Sequence, residues 1–208
     1  MRAIVFTEEI VTRFFAPALM LLTLLLGMQP AFAANEKAWP IDQVVGNSNA
    51  PITIVEYSSL TCSHCARFHI EVYPKLKAEW LDTGKAKLIY RDFPWDPMAQ
   101  AAAMVAHCSG PRYFSFVNAF FHAQDQWAHS QTPLQAIKTI AKLGGMGEEQ
   151  VDKCLEDRGL LNEINVRKEE EQKKWNIDST PSFVIGGTLY SGAKPYDEFV
   201  KILMDQKK

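Results

Sequence analysis

The chain has 208 residues, with 22 Lys+Arg against 24 Asp+Glu and a formal net charge of −2. That balance excludes the cationic excess that a nucleic-acid-binding face requires. A composition of 47% hydrophobic and 22% charged residues excludes a disordered or collagen-like chain, and 4 cysteines are too few for a disulfide-dense scaffold.

Residues 14–28 run without a charge, Phe14 to Met28. The run is shorter than the roughly 20 apolar residues that span a bilayer. Gln29-Pro30 and then Ala31-Phe32-Ala33-Ala34 follow it, with small residues at 31 and 33 as a signal peptidase requires. Residues 1–33 therefore read as a secretory signal peptide cleaved after Ala33, although Glu8 and Glu9 offset Arg2 and Arg13. An uncleaved anchor or a buried helix is the alternative. Either reading places residues 34–208, long enough for one substantial core, in an oxidising compartment.

Pro51 to Tyr57 is β-branched and mostly apolar, and predicts a buried strand. A polar turn leads to Cys62-Ser63-His64-Cys65. Ala66 to Trp80 then carries Phe68, Val72, Leu76 and Trp80 at helical spacing, with a kink expected at Pro74. Lys87 to Phe93 predicts a second strand, parallel to the first across the helix. Asp96-Pro97 is a cap-then-proline helix start, and the Ala-rich run from there ends at Cys108 before Gly110-Pro111. Residues 112–127 hold a wide apolar stripe. Thr132-Pro133 repeats the start signal, and shorter and longer helices follow at 148–157 and 160–175, the latter with a mixed charge run (Arg167 to Lys174) read as a solvated face. Ser182 to Ile185, Gly186-Gly187 and Thr188 to Tyr190 predict a hairpin, and 195–206 an amphipathic helix. The order is βαβ, several helices, then ββα. It predicts an α/β sheet with a helical insertion at about 96–160.

Cys62-x-x-Cys65 falls after a strand and at a helix start, the context of a thioredoxin-like redox pair. Free N–H groups and the macrodipole at a helix N-terminus favour an anion, so Cys62 is the candidate nucleophile and Cys65 the inward partner. A His64 imidazole beside Cys62 lowers its pKa further. A combined shift of about 3 units favours the reduced form by roughly 4 kcal/mol, or roughly 90 mV of oxidising power. The competing reading is a zinc or copper(I) site formed with His64 and His69; covalent haem is excluded because residue 66 is Ala. Glu56 lies in the apolar strand, either at an edge facing solvent or beneath Cys65 as its proton carrier. Thr180-Pro181 either opens a strand or forms a cis bend that faces the cysteines and pairs with an extended substrate.

Together Glu56, Cys62-Ser-His-Cys65 and Thr180-Pro181 resemble the DsbA family of periplasmic thiol:disulfide oxidoreductases, over most of residues 40–205. The resemblance implies a thioredoxin-like fold with an inserted helical domain. It implies Cys62 as attacking cysteine, Cys65 as buried partner, His64 as thiolate stabiliser, Glu56 as proton relay and Pro181 as a cis-proline beside Thr180. The clients would be unfolded or reduced secreted proteins, and a membrane oxidant would restore the disulfide of a monomer that needs no cofactor. The dipeptide is Ser-His where the best-known members have Pro-His, and Thr180 stands where the strongest oxidases carry Val. An isomerase or reductase of the same fold is the nearest alternative; a metal chaperone or holdase is the alternative from another class. With Cys62 and Cys65 paired, Cys108 and Cys154 remain as a structural disulfide whose loop of about 46 residues stabilises by roughly 4 kcal/mol. His107, His122 and His129 show no ligand spacing, and the tryptophans read as packing residues.

Overall fold

The computed structural model describes residues 42–206, so the expected signal peptide at 1–33 lies outside the described residues. Five strands form one sheet: β1 (Gln43–Gly46), β2 (Ile52–Ser58), β3 (Ala86–Asp92), β4 (Ser182–Ile185) and β5 (Thr188–Ser191), in the order β1-β3-β2-β4-β5. β2 and β3 are parallel and every other pairing is antiparallel. β2 therefore lies at the centre, with Glu56 opposite Tyr90 on one side and Phe183 on the other. β1 was not expected. Four residues are too few to show a period, and only pairing with β3 defines it.

The helical segment after β2 begins at Ser63, earlier than its apolar spacing suggested. It comprises α1 (Ser63–Arg67), a π-helical turn at Phe68–Val72, α2 (Tyr73–Leu76) and a second π-helical turn at Lys77–Leu81. The disturbance expected from Pro74 takes the form of the first π turn. Tyr73 N–H donates to the Phe68 carbonyl five residues back, and Pro74 falls in the first turn of α2. Its missing N–H costs nothing there.

The helices between β3 and β4 are α3 (Pro97–Cys108), α4 (Tyr113–His122), α5 (Gln124–Trp127), α6 (Pro133–Leu143), α7 (Glu148–Leu155) and α8 (Arg158–Trp175). They extend to Trp175, and the longer helix expected at 160–175 is α8. Asp96 Oδ1 caps α3 by accepting from the N–H groups of Met98 and Ala99, both at 2.9 Å. Thr132 makes no such side-chain cap on α6; Ser130 Oγ instead accepts from Thr132 N–H at 3.1 Å. The apolar stripe of 112–127 is divided at Ala123 into α4 and α5, which bury Phe120, Phe121 and Trp127. Full burial of such a side chain stabilises by about 1.5–3 kcal/mol. Cys108 and Cys154 form a disulfide between α3 and α7, with Cα atoms 6.1 Å apart.

The charge run on α8 is not uniformly solvated. Glu171 turns inward, accepts from the Tyr57 hydroxyl and from Trp175 Nε1, and pairs with Arg91 at 2.9 Å. A buried carboxylate requires such partners. Gly186 and Gly187 take φ of +57° and +79°, the left-handed conformations that a two-residue hairpin turn between β4 and β5 demands. The closing helix, α9 (Tyr196–Asp205), buries Phe199 and Leu203. Phe68, Phe183 and Phe199 meet with ring centroids 4.8–5.7 Å apart, fixing the active helix segment, β4 and α9 to one another. A strand–helix–strand unit and a hairpin–helix unit thus share a mixed sheet, with helices inserted between them, as a thioredoxin-like fold requires.

Candidate active site

Cys62 is the N-cap residue of α1, in extended conformation, and its side chain is partly exposed. The turn before it is held by a residue that the sequence reading did not single out. Gln124, buried in α5, donates from Nε2 to the carbonyls of Leu60 (2.7 Å) and Cys62 (3.0 Å). The helical insertion thereby clamps the turn that carries Cys62. Asp96 contributes from the other side: the carboxylate that caps α3 also accepts from Thr61 Oγ1.

The Cys62 thiol is lowered from the ordinary 9.0 to about 5. The largest cause is a hydrogen bond from the Cys65 thiol, opposed by burial; the Thr180 side chain and the backbone N–H groups of Cys65 and His64 lower it further. Burial pushes the Cys65 thiol far up, and charge on Cys62 adds to this. Cys65 is 0% exposed. One sulfur is therefore an accessible thiolate at neutral pH and its neighbour a sheltered thiol.

His64 acts differently from the expectation. Its Nδ1 accepts from the Arg67 guanidinium at 2.7 Å on the exposed side of α1. A guanidinium only donates, so the ring is engaged by Arg67 and makes no hydrogen bond to the Cys62 sulfur. It is the backbone N–H of His64 that lowers the Cys62 thiol.

The Thr180–Pro181 peptide is cis. It places the Thr180 carbonyl oxygen 3.2 Å from Cys62 Sγ, within reach of the thiol's S–H. Pro181 is held in turn by Gly192 N–H, which donates to its carbonyl at 2.8 Å. Trp95 is 43% exposed and donates from Nε1 to Thr180 Oγ1 at 3.1 Å, so it is more than a packing residue.

Glu56 is 0% exposed on the central strand, which excludes the solvent-facing alternative. Its Oε1 meets His69 Nε2 at 2.8 Å. His69 is 3% exposed and stacks on Phe121 at 4.3 Å. The second Glu56 oxygen lies in the same interior without a hydrogen-bond partner among the described residues. Burial pushes the Tyr90 hydroxyl up, and charge on Asp92, Glu56 and Cys65 adds to this. The pairing of His69 with Glu56 was the missed element. Their separation of 13 residues carries no local signal.

The same geometry weakens the metal reading. His69 is committed to Glu56 and His64 to Arg67. Among the described residues no cluster of three or more His, Cys, Asp or Glu side chains is arranged to hold a metal ion. His107 pairs with Asp92 at 2.8 Å beneath Tyr113.

The chain is similar to several known proteins. Residues 40–205 match the thioredoxin family model. The crystal structure of Wolbachia pipientis alpha-DsbA1 is similar at 32% identity with a TM-score of 0.75, covering 80% of this chain and 91% of that one. A protein-disulfide isomerase structure from Novosphingobium aromaticivorans is similar at 27% identity with a TM-score of 0.70, covering 81% of this chain and 98% of that one. A Rickettsia typhi protein provisionally named a protein-disulfide oxidoreductase is 32% identical over 148 residues, 70% of this chain and 55% of that protein. The chain belongs to the DsbA family of thioredoxin-fold proteins. It spans about half the length of the rickettsial relatives it matches.

Proposed function

We propose that this chain is a thiol:disulfide oxidoreductase that donates the Cys62–Cys65 disulfide to reduced, folding proteins outside the cytoplasm. The observation that carries the reading is the asymmetry of the pair: Cys62 lowered to about 5 at a helix N-terminus, Cys65 buried and raised. A low-pKa exposed sulfur is a good leaving group and a stable product, so the disulfide is readily given away.

In the oxidised enzyme a substrate thiolate attacks Cys62 Sγ. The Cys62–Cys65 bond breaks, a mixed disulfide forms, and Cys65 leaves with the electron pair and takes up a proton. Glu56, buried and paired with His69, supplies that proton. A second substrate thiolate then attacks the substrate sulfur of the mixed disulfide and releases Cys62 as a thiolate. The substrate has lost two electrons, and the enzyme holds them as the Cys62 thiolate and Cys65 thiol. Thr180 and Pro181 line the place where the substrate sulfur lands. A disulfide-bearing membrane partner that removes the electrons completes the cycle.

The Cys108–Cys154 disulfide supports an oxidising compartment. No helix among the described residues is long and apolar enough to cross a membrane. Oxidation of reduced ribonuclease tests the reading, run beside reactivation of scrambled ribonuclease. Fast oxidation with weak reactivation supports the donor. The isomerase reading, favoured by Thr180 and by the Novosphingobium relative's name, predicts the opposite ratio.

A further inference from the structure

α8 carries a charge where its inward stripe should continue. Leu160, Ile164 and Glu171 are buried, and Lys168 falls at helical spacing between the last two. A half-buried cation there calls for an anionic partner. Lys168 makes no ion pair among the described residues. Its ammonium lies instead over aromatic rings, 4.7 Å from the Trp95 centroid and 5.8 Å from that of Phe93.

Arg167 is in the same condition. Glu163, Glu170 and Glu171 stand at helical spacing from it, yet it pairs with none of them. Glu171 is taken by Arg91, Tyr57 and Trp175. Asp92, which lines one small cavity with both cations, is taken by His107 at 2.8 Å and Tyr113 at 2.7 Å. Two adjacent positive charges are thus left without an anion of their own. Trp95 places them beside the reactive sulfur. Its Nε1 donates to Thr180 Oγ1 at 3.1 Å, and the Thr180 carbonyl lies 3.2 Å from Cys62 Sγ. The indole between the ammonium and the sulfur is 43% exposed.

We propose that Arg167, Lys168 and Trp95 form a docking surface for an acidic stretch of the substrate, one that carries carboxylates a few residues from the cysteine being oxidised. This rests on the oxidoreductase reading of the cysteine pair and names the substrate that the pair prefers. An extended chain advances about 3.3 Å per residue, so such a carboxylate reaches the two cations while its cysteine lies at Cys62. The guanidinium takes a carboxylate through two parallel hydrogen bonds, and the ammonium adds a point charge that the ring holds in place. On the other side of Cys62 the nearest guanidinium, Arg67, is engaged by His64, so the attraction is one-sided. A basic stretch on the same surface meets like charge with nothing to offset it.

The test is oxidation of short dithiol peptides by the oxidised full chain. The peptides differ only at positions two to four residues from the first cysteine, which are all Glu, all Gln or all Lys. Rates are compared per thiolate, because flanking charges also move the peptide's own thiol pKa. At low salt the Glu peptide is expected to react about 5-fold or more faster than the Lys peptide, with the gap closing as salt rises. The double variant Arg167→Glu with Lys168→Glu is expected to reverse the preference. Arg167→Gln with Lys168→Gln is expected to bring the two rates toward equality, which keeps the test open if the reversed variant folds poorly. Each ratio compares two peptides on one protein, so lost stability that lowers both rates leaves it in place. Equal rates or a Lys preference in the wild type, or an undiminished Glu preference in the Gln variant, overturns the proposal. A wild type that oxidises none of the three peptides sinks the donor reading itself, whereas one that oxidises all three alike sinks the docking surface alone.

Discussion

Raising the pH should stabilise the reduced protein through one sulfur. The folded Cys62 thiol titrates near 5, against 9.0 for an unperturbed cysteine. At pH 7 the folded protein carries a thiolate where the unfolded chain carries a thiol. The 2 units between pH 7 and the folded value are worth about 2.7 kcal/mol at about 1.36 kcal/mol per unit. Cys62 is partly exposed, and solvent screening reduces this to roughly 1–2.7 kcal/mol. The same quantity makes the disulfide more oxidising by roughly 20–60 mV at pH 7. That is less than the roughly 90 mV expected from sequence, which counted the whole of an assumed 3-unit shift. The part of any shift that lies above pH 7 concerns a thiol that is protonated in the unfolded chain anyway. Because the folded pKa is below the unfolded one, the contribution is complete above pH 9 and declines by up to about 1.4 kcal/mol per unit toward pH 5. Below that it vanishes. Urea denaturation of the reduced wild type and of reduced Cys62→Ser, across this pH range, isolates the effect because serine does not ionise there. The stability difference should grow toward alkaline pH, and the thiolate absorbance should rise with a midpoint near 5. Parallel stability curves, or a midpoint above 8, would refute the reasoning.

Three other outcomes are expected. Gln124→Ala leaves two carbonyls of the nucleophile's turn without their donor and should cost about 1–3 kcal/mol in urea denaturation, with a higher Cys62 pKa. Glu56→Gln should slow the steps in which Cys65 gains or loses a proton by about 10-fold or more, in stopped-flow exchange with a model disulfide. Alkylation of Cys62 by iodoacetamide should be nearly unaffected. Replacing Cys108 and Cys154 together with Ala opens a loop of 46 residues and should lower stability by about 4 kcal/mol, while ribonuclease oxidation at moderate temperature persists.

Much of the fold and the cysteine site was legible because it is written in neighbouring residues. The β-branched run of β2, the cysteines at a helix mouth, the Asp96 cap and the Gly186-Gly187 turn each follow from local backbone chemistry. Other features have no local signature. β1 is too short to show alternation, and the charge run of α8 hides one inward carboxylate, Glu171, that only the position of Arg91 explains.

The sequence by itself singled out the candidate groups: two sulfurs three residues apart, a carboxylate in an apolar strand and a Thr-Pro bend. Tertiary structure alone decided how those atoms are tuned. Gln124 lies 62 residues from Cys62, Thr180 118 residues from it, and Trp95 85 residues from Thr180. His69 proved to be the partner of Glu56, and the His64 ring turned to Arg67. Spacing along a chain reports contacts within a helical turn or across a hairpin. A hydrogen bond between distant segments depends on where the sheet and the inserted helices bring them, and no short window of residues contains that information.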